Sequence, residues 1–462
     1  MSTAIGHNTD FAPPVHPCPT CGTECKRHSV YVRRLKDIAL DGPVVLEIPV
    51  GNYRCHVCRK FFRPELPFAA KNKQYTARAI RKATVAVQQD KTTYTALPNR
   101  LNRDFAIRPA KSTGWLWFQE FAGRIDVEDY LRWACSRFSG QLSVDSVSDG
   151  GIQMWFATDP LNRHLILGYY RDQHANAETL TKFLTILKDE YGLEPKLFTC
   201  DDANVFDNTP QKVWPDVPVQ LCHFHVIKNL NYHYLRHSLT ERMKRYKPVK
   251  PPKEPRPDGK PLPKHSRGYA SAEFVQKVLD WKQAQEVWGE MHKKRRLFFK
   301  TEKNLRKPES IKRNEAELLK GWCERYPALG VFRQFILDFY DLLSCKDSAS
   351  ADLLRKAFLA RWEEEAKTDK HMAHALKLFG DDKWFGRLFP FTAFENAHRT
   401  TNSTERANRW FRKRQKTHYR NRKENTIRNM LHADLIYRRE RTPSNKPPNR
   451  LAEKRGSEQR SA

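Results

Sequence analysis

The chain has 462 residues, too many for one compact core, and 39% are hydrophobic, enough for several folded domains. Its 83 Lys and Arg against 53 Asp and Glu leave a formal net charge of +30, a self-repelling surplus that points to an anionic partner. Nucleic acid fits better than lipid, because each neutralised phosphate releases condensed counterions, and no segment approaches the ~20 apolar residues that span a bilayer. The opening MSTAIGHNTDFAPPVHP lacks a charged stretch followed by an apolar run, so no signal peptide is expected. A cytoplasmic, nucleoid-associated protein with no membrane partner follows.

Residues 1–16 read as a flexible lead-in. Residues 17–67 carry five of the ten cysteines, with Cys18-Pro-Thr-Cys21-Gly and Cys55-His-Val-Cys58-Arg forming two CxxC knuckles. In a reducing compartment such pairs read as metal ligands before disulfides, so a zinc ribbon holding structural Zn²⁺ through Cys18, Cys21, Cys55 and Cys58 is expected. Cys21 and Cys55 are 34 positions apart, longer than the ~15–20 of compact fingers, which leaves room for a hairpin. Cys25 is a bystander or an alternative ligand.

Residues 73–133 read as helical, with apolar spacing over Tyr75–Gln89 and Ser112 as the cap of a helix through Phe121. This segment reads as a helix-turn-helix-like DNA-binding element, or, given Trp115, Trp117, Phe118 and Phe121, as core.

Over 140–225 the period changes. Strand-like runs at 141–147, 152–158 and 164–170 are separated by Asp149-Gly150-Gly151 and Asp159-Pro160-Leu161-Asn162. A helix over 177–191, a strand over 196–200, a helical stretch from about 204 and a strand over 217–222 complete the order of an RNase H-like α/β core. Residues 226–400 read as an all-helical insertion, with helices over 270–296, 314–326, 331–343 and 352–369. Within it, the proline- and lysine-rich 247–264 is predicted disordered. Residues 401–440 supply core-completing basic helices, Ser403–Arg414 and Glu424–Arg438, and 441–462 a disordered tail.

Three acids stand out. Asp145 lies in mid-strand, where an unpaired buried carboxylate is costly, so it faces a charge or a metal. Asp201 follows the strand 196–200 directly, with Asp202 a rival for the same role. Glu405 opens the helix Asn402-Ser-Thr-Glu405-Arg-Ala-Asn408. If these acids converge, a divalent cation relieves their repulsion, and three such carboxylates suit two Mg²⁺ (or Mn²⁺) ions ~3.5–4 Å apart for in-line phosphoryl transfer. Taken singly, Glu405 is also an ordinary first-turn acid that the helix dipole favours.

Leu142-Ser-Val-Asp145, Phe198-Thr-Cys-Asp201-Asp-Ala, Gln220-Leu-Cys222-His-Phe-His225-Val-Ile-Lys-Asn229 and Asn402-Ser-Thr-Glu405-Arg-Ala-Asn408 together resemble the motifs of zinc-ribbon DDE transposases of bacterial insertion sequences. The closest type is ISL-three, related to Mutator-like transposases. The resemblance spans about 17–440, and the 204 positions from Asp201 to Glu405 match that family's helical insertion. It implies a metal-dependent DNA cleavage and strand-transfer enzyme, with Asp145, Asp201 and Glu405 as catalytic Mg²⁺ ligands. It also implies supporting roles for Cys222 and His225, since that pair offers only two ligands for a second zinc. Departures are Ser146, where the family often has an acid, and Asp202, where it has glycine or methionine; these leave Asp201 and Asp202 both open.

Arg409, Arg412, Lys413, Arg414, Lys416, Arg420, Arg422 and Lys423 follow Glu405 closely, interleaved with Trp410, Phe411, His418 and Tyr419. His292–Lys300 is a second basic cluster. Phosphate tracking with aromatic stacking accounts for one-signed charge beside an acid better than a merely solvated face does. The expected partners are double-stranded DNA (terminal inverted repeats and target DNA) and further copies of the chain, at least a dimer. The rival readings are an inactive DNA-binding regulator with an RNase H-like fold and a nuclease acting on RNA or branched DNA.

Overall fold

The computed structural model describes residues 10–39, 42–149, 151–162, 165–254, 256–260, 271–301, 304–305, 315–417, 422–441 and 447–454. They form a mixed α/β protein of two compact units, the first comprising Met1–Phe138, Asp145–Leu193 and Ser403–Pro448, the second Ser139–Val144, Glu194–Asn402 and Asn449–Ala462.

The first unit opens with an antiparallel sheet of β1 (Val15–Pro17), β2 (Glu24–Asp37), β3 (Val44–Arg54) and β4 (Phe61–Phe62), hydrogen-bonded in that order. β2 and β3 are the long hairpin for which the cysteine spacing leaves room. Leu35 faces Leu46 and Tyr31 faces Val50 across it, and Leu35 and Val50 pack with Leu66 and Ala69. Four helices follow: α1 (Ala77–Gln88), α2 (Leu97–Phe105), α3 (Lys111–Ala122) and α4 (Val127–Ser136). Thr76 caps α1 by accepting from the Ala79 amide at 3.2 Å while its hydroxyl donates to buried Asp37. The left-handed Ala106 (φ 54°) ends α2 and lets α3 fold back, so that Val87, Leu97, Leu101, Trp117 and Phe118 share one core. Ser112 is not the cap of α3, contrary to expectation. The helix begins at Lys111 behind Ala110, which makes no side-chain cap bond, so Ser112 is already its second residue.

β5 (Gln141–Asp149), β6 (Ile152–Thr158) and β7 (Ile166–Asp172) follow, then α5 (Ala177–Asp189), which is closed by an Asn176–Thr179 capping box. Gly151 (φ +83°) supplies the left-handed backbone of the β5–β6 turn. Asp159 is fully buried after β6 and accepts from the amides of Leu161 and Asn162 at 2.9 and 3.1 Å, so it is a turn residue, as its sequence context suggests.

In the second unit come β8 (Leu197–Cys200), the short α6 (Thr209–Val213) and β9 (Val219–Leu221). β8 runs parallel to the Gln141–Ser143 end of β5 on one side and to β9 on the other. Hydrogen bonding orders the sheet β7-β6-β5-β8-β9, with β6 and β7 antiparallel. β9 leads into α7 (His223–Leu230), a π-helical turn at Asn231–Leu235 and α8 (Arg236–Arg245).

The expected helical stretch is α9 (Ala272–Lys293), α10 (Glu315–Arg325), α11 (Pro327–Ser344), α12 (Ser348–Thr368), α13 (Lys370–Gly380) and α14 (Asp382–Gly386). Phe335, Phe339, Phe358, Trp362 and Phe379 form the aromatic core of α11–α13, with ring centroids 5.2–5.6 Å apart. After β10 (Phe394–Glu395), α15 (Asn402–Thr417) and α16 (Glu424–Glu440) return to the first unit. Within the segment expected to be a structureless tail, Ala452–Glu453 form β11, antiparallel to β10, beside buried Leu451. The Leu451 amide donates to the Ser139 carbonyl at 2.8 Å and the Lys454 amide to the Ala393 carbonyl at 2.9 Å, which holds that stretch on both sides of β11. The rest of the tail at 442–446 and 455–462, the segment 261–264 and Pro255 of the proline–lysine stretch, and 1–9 of the lead-in lie outside the described residues. No helix among the described residues is long and apolar enough to cross a membrane.

Candidate metal centre and acidic sites

The two knuckles are built alike. Cys18 N–H donates to the Thr23 carbonyl at 2.9 Å and Cys55 N–H to the Lys60 carbonyl at 3.0 Å, so each CxxC is closed by the same bond five residues on. The residue after each second cysteine is left-handed: Gly22 at φ +74° and Arg59 at φ +56°. That conformation swings the chain back so both thiols of a knuckle point the same way. The Sγ atoms of Cys18, Cys21, Cys55 and Cys58 lie within 4.8 Å of one another, and Cys21 and Cys55 are 3.6 Å apart. Tetrahedral Zn–S bonds of ~2.3 Å require Sγ pairs ~3.8 Å apart, so the four cysteines could hold a structural metal such as zinc in a ribbon-like site.

The electrostatics agree. The backbone amides of Thr20 and Cys21 favour the Cys18 thiolate, and the Thr23 hydroxyl and amide bring Cys21 down to about 6. Cys58, sharing its proton with Cys21 and partly desolvated, is pushed up to about 12. Those thiols compete for charge at close range, which a divalent cation relieves. Cys25 is buried beside Cys18 and Cys55, and burial raises it to about 11; its Sγ turns to the Thr23 carbonyl at 3.3 Å, and it stands outside the four-thiol group.

The three acids are divided between the units, and among the described residues only the cysteines form a group of three or more metal-ligand side chains. In the first unit, Asp145 on β5 is half-buried. Its Oδ1 accepts from the Ser146 amide at 2.7 Å and its Oδ2 from the Asn408 side chain, also at 2.7 Å. Asn408 is buried and reaches the Ser146 carbonyl as well, at 3.2 Å. Glu405 is half-buried one turn earlier on the same helix; residues three apart share a face, so it stands on the face that meets β5. Thr158, at the end of β6, holds the hydroxyls of Ser403 and Thr404 at 2.8 Å and pins the start of α15.

In the second unit, Asp201 leaves β8 with its Oδ1 buried and without a hydrogen-bond partner. Burial raises its pKa; the charge of nearby His225 and the Ala203 amide oppose that. Asp202 is otherwise engaged, accepting from the Trp384 indole at 3.0 Å. Cys222 and His225 meet through Thr401, whose amide and hydroxyl lie 3.2 and 3.3 Å from Cys222 Sγ and whose hydroxyl lies 3.4 Å from His225 Nδ1. Burial raises the Cys222 thiol, but the bonds from His225 and Thr401 outweigh it and leave a net lowering. His223 is buried and donates to the Leu388 carbonyl at 2.7 Å; burial holds its pKa down near 4.

Of the basic residues, Arg409, Arg412, Lys413 and Lys416 line the exposed side of α15, and Arg422 is exposed beyond it. Arg414 corrects the expectation of a phosphate ligand. It is 1% exposed, paired with the Asp434 carboxylate, to which its Nη2 donates at 3.0 Å, and donates to the Val87 carbonyl at 3.3 Å, because its helix position falls on the face with Ala407 and Phe411. Arg420, His418 and Tyr419 lie outside the described residues. In the second cluster Leu297 and Phe298 are core, and Lys294 and Lys300 pair with Glu290 and Glu315.

Sequence reasoning quoted Asn408 without a role and missed Thr401. The three-residue spacing from Glu405 was the available signal for Asn408; nothing local marks Thr401. A mixed α/β chain with a four-cysteine, zinc-ribbon-like centre is the class these features define. No protein-family model matches the chain, and no curated protein matches it. The transposase resemblance therefore stands on the residue motifs.

Proposed function

We propose that the chain is a DDE-type DNA transposase that binds the terminal inverted repeats of its own element and cuts and joins DNA by metal-dependent phosphoryl transfer. The observation that carries the reading is the 2.7 Å bond from Asn408 to Asp145. It fastens the Glu405 helix to the strand of the first acid, although 263 positions separate the two residues. The strand order β7-β6-β5-β8-β9, parallel at β5, β8 and β9, is the order an RNase H-like core requires, and it adds support. So does the register within the second unit, where Ser143 faces Thr199 in a parallel pairing.

Two Mg²⁺ or Mn²⁺ ions held by Asp145, Asp201 and Glu405 would activate a water or 3′-hydroxyl and stabilise the leaving oxygen. The unpartnered, buried Oδ1 of Asp201 suits such a ligand, being costly to leave bare. Asn408 and the Ser146 amide hold Asp145 in one orientation, and His225 lies near Asp201 and favours its carboxylate form. Asp201 is preferred to Asp202, whose carboxylate is taken by Trp384. Arg409, Arg412, Lys413 and Lys416 contact phosphates from the outer face of α15, and the ribbon and α1–α3 bind the repeat. Two ends processed together call for at least a dimer.

The test is nicking of duplexes carrying the inverted repeats that flank the gene, with Mg²⁺, against RNA–DNA hybrids and branched junctions. Cleavage at the repeat ends is expected. Cleavage confined to hybrids or junctions, or full activity in Asp145→Ala, overturns the reading.

A further inference from the structure

The long hairpin β2–β3 has one covered side and one bare side. Cross-strand partners share a side, and Tyr31 with Val50 and Leu35 with Leu46 turn toward Leu66 and Ala69. Val30 with Gly51, Val32 with Pro49, Arg34 with Glu47 and Lys36 with Val45 turn the other way. On that outer side Val30, Val32 and Val45 are 47%, 56% and 43% exposed. β1 and β4 reach only the cysteine end of the hairpin, pairing with residues 24–26 and 53–54, and leave its middle two-stranded. Apolar, β-branched side chains held in water on a two-stranded ribbon favour a covering partner.

We propose that this outer face is an interface between two copies of the chain. It gives a surface to the dimer that the transposase reading calls for, but it stands on the face alone. A two-fold axis running along the hairpin, between its strands, lays β2 of one copy on β3 of the other. Because Arg34 and Glu47 stand in register, that axis brings each Arg34 onto the second copy's Glu47 and each Val32 onto the second copy's Pro49. Arg34 gives its Nε to its own Glu47 at 2.8 Å, and the two side chains remain 74% and 53% exposed. Further guanidinium donors and carboxylate lone pairs can therefore close the same pair between copies. The face is thus self-complementary in charge, which a chain of net charge +30 needs wherever it meets its own copy. Duplex DNA fits worse. The face offers a phosphate mostly valine, proline and glycine, Arg34 is already paired, and Lys36 lies over the Tyr75 ring at 5.7 Å. The ladder from Val30 to Asp37, about 27 Å long and two strands wide, covers roughly 300–400 Å² per copy, about half a standard interface. The free chain should therefore pair weakly.

The experiment measures self-association of the zinc-loaded full chain by sedimentation equilibrium in about 0.3 M salt, where repulsion between copies is screened. A dimer with Kd on the order of 10 µM is expected. Val32→Asp, Arg34→Glu and Glu47→Arg should each weaken it at least about tenfold, with zinc content and melting curve unchanged. An equimolar mixture of Arg34→Glu and Glu47→Arg should restore the dimer, because the acids of one variant then face the bases of the other. Only contact between copies predicts that rescue. A wild-type chain that stays monomeric at about 100 µM, a dimer indifferent to the three changes, or a mixture as weak as its parts overturns the proposal. So does a loss of repeat-DNA affinity in Val32→Asp with the dimer intact, which would give the face to DNA. Failure of the nicking assay with the rescue intact would remove the transposase reading and leave the interface standing.

Discussion

The cysteine centre and the acidic face that β5 and α15 make within the first unit are assembled in opposite ways. The first takes its four ligands from two knuckles that each close on themselves within six residues, so local turn chemistry aims every thiol. The second draws on elements spread from Asp145 to Glu405, each held by bonds between residues remote in sequence. A locally closed site fails locally and completely when its ligand is lost. A distributed one loses function while the fold persists, because its supporting bonds are many and individually small.

The largest effect should follow metal removal. Structural zinc in small domains supplies ~10 kcal/mol or more of folding free energy. Chelation, or Cys55→Ser, should abolish hydrogen-exchange protection across β1–β4 and release one zinc equivalent, while Cys25→Ser keeps the metal. Retained protection in Cys55→Ser would make the centre dispensable and blur the contrast.

Next is the buried pair under α15. Arg414→Ala takes from Asp434, 1% exposed, its closest cation and leaves it Lys91 at 3.4 Å, the Trp410 indole and the more distant Arg438, and should cost about 3 kcal/mol by urea denaturation. By contrast Arg412→Ala, on the exposed side of the same helix, should leave stability within ~0.5 kcal/mol and weaken DNA binding.

Asn408→Ala sharpens the comparison on the functional side. Removing the side chain that orients Asp145 and also bonds the Ser146 carbonyl should slow strand cleavage about 10–100-fold, with a cost of only about 1 kcal/mol in stability. An unaltered cleavage rate would show that Asp145 needs no such support.

The smallest effect concerns pH. Burial holds His432 near pKa 4, where it bonds the Tyr169 hydroxyl at 2.7 Å, and holds His223 near 4 as well. An unfolded histidine titrates near 6.5, so between about 6.5 and 4 the unfolded chain binds more protons. Stability from these neutral histidines is therefore full above about 6.5 and is lost as pH falls toward 4, on the order of 1–3 kcal/mol for each. His432→Gln should flatten the part of the acid limb due to the first unit, measured as the urea midpoint against pH.

What the sequence made legible follows the same division. The CxxC spacings pick out the four cysteines whose thiols come together and could hold a metal, and the alternation over 141–172 locates β5, β6 and β7 to within two residues at each end. Helix positions through the insertion also follow from apolar spacing, since Phe332, Phe335, Ile336 and Phe339 recur at helical intervals on α11 and Phe358 and Trp362 on α12. Arg414 was misread because one-dimensional charge runs hide which side of a helix is buried, and its partner Asp434 lies 20 residues away. The start of α3 was misread because a serine near a helix start is a capping signal only when its side chain turns back to the backbone. β11 escaped notice because a two-residue strand takes its stability from the partner edge at Phe394–Glu395, not from its own composition. The meeting of Thr401 with Cys222 depends on tertiary packing throughout.

The measurement that bears most directly on the account is Mg²⁺-dependent nicking of repeat-end DNA by Asp145→Asn, Asp201→Asn, Glu405→Gln and the triple variant, compared as rates. Three acids acting as one metal-holding unit predict that each single change costs nearly as much as all three together, while Asp202→Asn stays far more active. A single variant that retains the wild-type rate, or losses that simply multiply across the three, would contradict it.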